Sequence, residues 1–328
     1  MMVKSILFKS ILLLPALFSS HLLQAEEAAV RSPNQKIHIS LENQPHNAES
    51  WFLKVDYSNN GEKCNVIPKI NLGLSRSDQE FRSNLKLVKI GTPKSINDNY
   101  TAVHGKKSEC SNSANELVVS FETPTQARLN LTIRAYNDGI AFRYSFPEST
   151  GTFVVKDEFT AYNIPDKTER WLEKWNRANE GLYQKMTNGE QQQSWCYPAL
   201  FKTPEQNCWY LIHEADLNST YCGTKLSNTA NKSQYKLTFP DPEDGNGMGE
   251  SQPTISLPWK SPWRMIMIGS LADVVESTLV TDVSTPSALT DTTWIKPGVA
   301  SWNYWSNNHG TKDYQVVCKF ADLAAEMN

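Results

Sequence analysis

"ARLNLTIRAYNDGIAFRYSFP", residues 127–147, decides the fold. Along its first arm Leu129, Leu131, Ile133 and Ala135 take one side, and Arg128, Asn130, Thr132 and Arg134 take the other. A period of two is the strand period, because successive side chains leave a strand on opposite faces. Asn137-Asp138-Gly139 then supplies residues that tolerate positive φ, so a tight primed turn is expected. The return arm sets Ile140, Phe142, Tyr144 and Phe146 on one face. The stretch reads as a β-hairpin with one buried face.

The same pattern extends in both directions. In "KIHISLEN", Ile37, Ile39 and Leu41 oppose His38, Ser40 and Glu42. "WFLKVDYS" follows as a second strand and ends at the turn residues Asn59-Asn60-Gly61. Further strands are expected over residues 116–123, 195–202, 208–213 and 265–269. Many short strands broken by Gly, Pro and Asn predict a large antiparallel β-sandwich. Residues 167–183 hold Trp171 and Trp175 among many charges without a clear stripe, and read as irregular. Residues 240–253, "PDPEDGNGMGESQP", read as a polar surface loop.

The N-terminus carries an address. Lys4 and Lys9 precede an apolar run over residues 11–18, and Ala25 marks a cut. This is the layout of a signal peptide, and the run is too short to span a membrane. Export, to a periplasm or beyond, is expected. Loss of residues 1–25 leaves 30 basic against 35 acidic residues, which excludes the basic footprint of a nucleic-acid partner. Export permits disulfides, and six cysteines allow 15 pairings. Cys196, Cys208 and Cys222 fall on three successive expected strands, so two of them can meet. No Cys-x-x-Cys pair suggests zinc.

The C-terminal stretch, "DTTWIKPGVASWNYWSNNHGTKDYQVVCKFADLAAEMN", breaks the pattern. Residues 286–298 read as a connection, and Val299 to Trp305 as a buried strand. Residues 307–310 form a loop, and 311–327 an amphipathic helix. Its stripe is Tyr314, Val317, Cys318, Ala321, Ala324 and Ala325, with Cys318 expected to be buried. A strand followed by a helix is the opening unit of a parallel α/β structure. A complete α/β barrel needs about 250 residues, so this stretch is expected to hold only the first unit.

Six segments, in this order along the chain, carry a resemblance: "HGKKS" (104–108), "RAYNDGIAFRYSFP" (134–147), "IHEADL" (212–217), "SPWRMIMIGSLADVVESTLV" (261–280), "DTTWIKPG" (291–298) and "SWNYWSNN" (301–308). Together they resemble glycoside hydrolase family 97, bacterial exo-α-glycosidases with an N-terminal β-sandwich and a catalytic (β/α)8 barrel. The resemblance implies a signal peptide over residues 1–25, a sandwich over 26–289, and a linker with the start of a truncated barrel over 290–328. It implies α-glucosides or α-galactosides as substrates. The family's catalytic carboxylates lie on later barrel strands, so none is assigned here.

The resemblance also implies site residues. Glu214, near the end of "CWYLIHEADL", matches a sandwich glutamate that reaches the active site and helps bind calcium, a cation that takes 6–8 oxygen ligands. On residue type alone it reads as a solvated strand-end acid. Trp302 and Trp305 bracket the expected barrel strand and can stack on sugar rings. Three apart on a strand, only one of them faces the barrel interior. Asn307 and Asn308 follow as candidates for sugar hydroxyls. His104, Lys106, Lys107, Arg134 and Arg143 match family positions, with hydrogen bonding as their ordinary role. Two other readings stay open. One is a non-catalytic carbohydrate-binding sandwich; the other is an inactive truncated product. An encoded continuation of the barrel separates a fragment from a module.

Overall fold

A computed structural model describes residues 28–44, 50–59, 61–204, 208–245, 248–296, 298–305 and 310–327. Asn307 and Asn308, the turn residue Asn60 and the signal segment lie outside the described residues.

The hairpin forms in the expected phase. Strand Arg128–Tyr136 pairs with Gly139–Phe146, setting Leu131 opposite Tyr144 and Ile133 opposite Phe142. All four inward residues of each arm are buried in one core. The turn differs from expectation, because neither Asn137 nor Asp138 adopts positive φ. Gly139 is needed for space instead: a Cβ there would collide with the Ile266 carbonyl oxygen and meet Leu279 Cδ2 at 2.7 Å. The Asn137 side chain is also used, accepting from the Asn34 backbone N–H at 2.9 Å.

Around the hairpin an antiparallel sheet assembles in the order Tyr183–Thr187, Glu169–Glu173, Ala199–Lys202, Trp209–Ala215, Trp263–Gly269, Gly139–Phe146, Arg128–Tyr136, Glu109–Glu122, Lys86–Ile90. A second sheet runs Ala29–Arg31, Ile37–Asn43, Trp51–Asn59, Glu62–Asn71, Ala161–Asn163, Gln234–Thr238, Lys225–Ser227, Ser194–Trp195. A small sheet, Thr254–Ser256, Thr152–Glu158, Leu74–Arg76, Gln79–Phe81, lies alongside. The inward faces of the two large sheets share one core, including Ile39, Val55 and Ile70 from one and Leu131, Phe142 and Ile266 from the other. This is a β-sandwich.

The back of the larger sheet is not left bare. Ala141, Trp263, Met265 and Met267 pack there with Val274, Leu279 and Val283. Val274 and Leu279 belong to two short helices, Leu271–Glu276 and Leu279–Asp282. Ser270 and Asp273 form a reciprocal capping box that starts the first of them.

Two strand expectations change. Residues 167–183 contain the strand Glu169–Glu173, whose Arg170 and Leu172 point inward while Trp171 stacks on Trp209 at 4.9 Å. Its outward charges hide the alternation. The strand expected over 195–202 is two: Ser194–Trp195 joins one layer and Ala199–Lys202 the other, so the chain crosses between layers at residues 196–198.

Residues 101–109 and 285–328 cluster as a separate unit. The expected helix forms as Tyr314–Met327, after a single 3-10 turn at Gly310–Lys312. The expected strand over residues 299–305 does not form. A strand needs a neighbour to satisfy its N–H and C=O groups, and none of the described residues offers one. For the same reason the helix stripe is uncovered. The helix buries no residue, and Cys318 is half-buried, correcting its expected place in a core.

An isolated helix of 14 residues is marginal in water. Backbone amides over residues 314–327 are therefore expected to exchange with solvent far faster than those over 128–146. Hydrogen exchange read by mass spectrometry checks this; equal protection would show that the helix is covered in solution.

Candidate functional site

Glu214 follows Tyr210 and Ile212 in the alternation of strand Trp209–Ala215, so it points into the sandwich. Its cross-strand neighbour is Arg264, on Trp263–Gly269, which shares that inward face. The expectation of a solvated strand-end acid fails. The Glu214 side chain is 8% exposed and Arg264 is fully enclosed. Strand phase, not position near a strand end, decided the direction.

A guanidinium removed from water needs counter-charge close by. Arg264 donates from Nη1 to Glu214 Oε2 at 2.7 Å. It also grips Glu158 as a fork, from Nε to Oε1 at 2.9 Å and from Nη2 to Oε2 at 2.7 Å. Glu158 ends strand Thr152–Glu158 of the small sheet and is fully buried. Thr160 Oγ1 donates to its Oε1 at 2.8 Å, and the Tyr221 hydroxyl to its Oε2 at 3.0 Å. Both Glu158 oxygens thus accept two hydrogen bonds each, which fills a carboxylate.

Glu214 is not filled. The Thr224 backbone N–H reaches Oε1 at 2.9 Å, and the Thr224 hydroxyl reaches Oε2 at 2.6 Å. With Arg264 this makes three bonds for about four acceptor positions. The spare position is on Oε1, beside Gly223, where a Cβ would sit 3.7 Å from that oxygen. Two carboxylates and one guanidinium leave the cluster with a net negative charge. Arg264 stays protonated well above its ordinary range: the two glutamates outweigh the burial that opposes its charge. His213, on the opposite face of the strand, has its pKa lowered by burial, and its Nδ1 has no partner.

The cluster can present one anionic oxygen but not an acid–base pair, since Glu158 is saturated and enclosed. Calcium takes 6–8 oxygens, and among the described residues no three His, Cys, Asp or Glu gather as ligands. Glu214 also sits against a guanidinium that already compensates it.

The other expected residues take no part in these hydrogen bonds. Trp302 and Trp305, in the second unit, are 60% and 71% exposed, with ring centroids 4.5 Å apart. The strand argument that set them on opposite faces does not apply, because no strand forms there. Arg134 and Arg143 serve packing. Arg134 donates to Glu116 at 2.8 Å, Arg143 pairs with Asp216 at 3.5 Å, and both lie over the Trp263 ring, at 4.8 and 4.1 Å. His104 is exposed. Sequence reading missed Arg264 and Glu158. Arg264 carried a signal: it interrupts the apolar run "WRMIMIG" in phase with Ile266 and Ile268.

The family described as "Glycosyl-hydrolase 97 N-terminal" matches residues 30–286. A "Probable retaining alpha-galactosidase" of Streptomyces bingchenggensis is 29% identical over 214 residues, covering 64% of this chain and 31% of its own length. A "Retaining alpha-galactosidase" of Bacteroides thetaiotaomicron is 25% identical over 283 residues, covering 78% and 41%. Among solved structures, a β-arabinopyranosidase superposes with a TM-score of 0.79 at 26% identity, over 91% of this chain and 49% of that one. A glycoside hydrolase family 97 enzyme from Pseudoalteromonas sp. strain K8, in complex with acarbose, superposes with a TM-score of 0.76 at 22% identity, over 91% and 46%. This chain therefore spans less than half the length of these relatives.

Arg264→Met leaves two buried carboxylates without a cation. A loss of about 3–5 kcal/mol of folding stability is expected, read from urea denaturation. The Glu214 carboxyl lies above its ordinary value of 4.5: burial raises it most, Arg264 and Thr224 pull it down, and Glu158 raises it again. Such a group stabilises the fold fully below its unfolded value and loses that contribution as pH rises through its folded value. Wild-type stability relative to Glu214→Gln is therefore expected to fall as pH rises above 4.5. A gap that does not change with pH contradicts the assignment.

Proposed function

The chain belongs to the glycosyl-hydrolase 97 N-terminal family, and from that premise we propose that it is the supporting sandwich domain of an exported α-glycoside hydrolase. The observation that carries this reading is the family match across residues 30–286, the whole of the β-sandwich. The similarity to a retaining α-galactosidase and a probable one makes α-galactosides the first substrates to test, ahead of α-glucosides. Retaining chemistry needs two carboxylates about 5–5.5 Å apart with a sugar between them. Glu158 and Glu214 share one guanidinium inside the core, so this pair must come from outside the described sandwich. A (β/α)8 barrel of which residues 290–328 are the start is the natural source.

In this reading Glu214 is where the sandwich reaches the site. Its free Oε1 position is offered to a calcium ion whose other oxygens come from the barrel. Arg264 and Thr224 hold the carboxylate in place. Trp302, Trp305 and Asn307 belong to the barrel side and contact sugar. Residues 1–25 direct the chain to the periplasm. No helix among the described residues is long and apolar enough to cross a membrane.

The test has two arms, both read by release of nitrophenol from α-galactoside and α-glucoside substrates. The chain alone is expected to show no turnover. The chain fused to the remaining barrel of the Streptomyces relative is expected to be active and chelator-sensitive. Glu214→Gln in that fusion is expected to lose about 10–100-fold, by analogy with residues that support metal ligands. Turnover by the chain alone would move the chemistry into the sandwich. A fusion indifferent to Glu214 and to chelator would remove the calcium role.

A further inference from the structure

Each cysteine of the sandwich has a definable neighbour. The Cys196 thiol points to the Lys174 carbonyl at 3.8 Å, and Cys222 to the Ser251 carbonyl at 3.7 Å. Cys110 lies against the Tyr100 hydroxyl. The successive-strand expectation that joined two of Cys196, Cys208 and Cys222 therefore finds no such contact.

Cys208 faces a different partner. Its thiol points to the Trp209 carbonyl at 3.8 Å and also lies against the thiol of Cys64. Cys64 sits on strand Glu62–Asn71 of one layer, directly across from Tyr57. Cys208 leads into strand Trp209–Ala215 of the other layer, where its carbonyl accepts from the Thr203 N–H at 2.9 Å. Tyr57, the neighbour of Cys64, also lies within electrostatic range of Cys208. The two cysteines are 7% and 2% exposed and belong to one core. Two buried thiols, one from each layer, thus adjoin in the core.

We propose that Cys64 and Cys208 are joined by a disulfide that staples the two layers when the chain folds in an oxidising compartment. The oxidant is a disulfide of the exchange class, either an oxidase's reactive disulfide or oxidised glutathione. The thiolate of one cysteine attacks that disulfide, forms a mixed disulfide and expels one thiol of the oxidant. The second cysteine then attacks the first sulfur and expels the other. Two electrons and two protons pass to the oxidant, which leaves as two thiols. The bond forms during folding, before the layers close. Once they have closed, the contact with Cys64 and then burial hold the Cys208 thiol far above its ordinary pKa and keep solvent oxidants out. The bond closes a loop between residues 64 and 208, a span long enough for a large effect on the unfolded chain.

The inference rests on export for its oxidising compartment, and the experiment separates the two. The full chain, with its native leader, is expressed in a bacterium, acid-quenched, alkylated and analysed by intact mass and non-reducing peptide mapping. The expected result is a chain lacking its leader, with the peptides of Cys64 and Cys208 linked. A chain without its leader but with both cysteines alkylated overturns the disulfide and leaves export standing. A chain that keeps its leader speaks against export, and refolding then decides. Reduced, unfolded chain is refolded in a glutathione redox buffer and mapped in the same way. Linkage of Cys64 to Cys208 supports the proposal; a different pair, or none, overturns it. Reductant is expected to lower the Tm of the linked protein by about 5–15 °C. It should leave Cys64→Ala and Cys208→Ala unmoved, and an equal shift in those variants would assign the effect to other cysteines.

Discussion

Arg264 is a full positive charge placed where water cannot follow. Everything around it answers that constraint. Glu214 comes from the adjacent strand, Glu158 from the small sheet, and Tyr221 and Thr160 complete what Glu158 still needs. The Thr160 hydroxyl bonds in turn with the Tyr144 hydroxyl at 2.8 Å, and Tyr144 accepts from the Gly73 N–H at 3.1 Å. The charge thus ties the hairpin, the small sheet and the 216–224 loop to one point. Buried ion pairs add little net stability over apolar packing of the same shape, but they punish every wrong arrangement. A shift by one residue of strand Trp209–Ala215 against Trp263–Gly269 would turn Glu214 outward and strand the guanidinium. The cluster therefore fixes register in a region where apolar residues alone would tolerate slippage.

Much of the sandwich was legible because alternation is a local signal. The hairpin at residues 127–147 and the strands Ile37–Asn43 and Trp51–Asn59 could be phased from side-chain type alone. Where the signal failed, the cause lay in what the strand faces. Glu169–Glu173 has an aromatic and charged outer face, because Trp171 lies beneath Lys185 and against Trp209. Gly139 was read for its φ, whereas the neighbouring strand's carbonyl sets its need. That requirement is long-range and leaves no local trace. The strand expected at 299–305 failed for a related reason, since aromatic content favours a strand only when a partner is present.

The site was legible in part. "HEADL" drew attention to Glu214, but its surroundings were read from a strand end rather than from the phase of Tyr210 and Ile212. Applied strictly, that phase points the acid inward and calls for a buried cation. "WRMIMIG" offers one, on the same side as its own isoleucines. Glu158 was beyond reach, since nothing near residue 158 says that its strand stops across from Arg264. The cysteines repeat the lesson. Cys64 and Cys208 lie far apart in sequence, and nothing short of the packed layers brings them together.

The order of strands also sets a schedule. The first four strands of the smaller large sheet, spanning residues 29–71, pair as a simple meander. Among the described residues the open side of Glu62–Asn71 is covered by Ala161–Asn163, and that of Gly139–Phe146 by Trp259–Lys260 and Trp263–Gly269. At about 5–20 residues per second of synthesis, the hairpin's apolar edge waits on the order of ten seconds for its neighbour to be made. During that interval the ribosome-bound chain carries a flat ladder of unpaired N–H and C=O groups, the template on which strands of other chains dock. Yield of this protein in a cell is then governed by how well that edge is shielded during synthesis. Variants that slow translation between residues 147 and 263 would aggregate without any change in the finished fold.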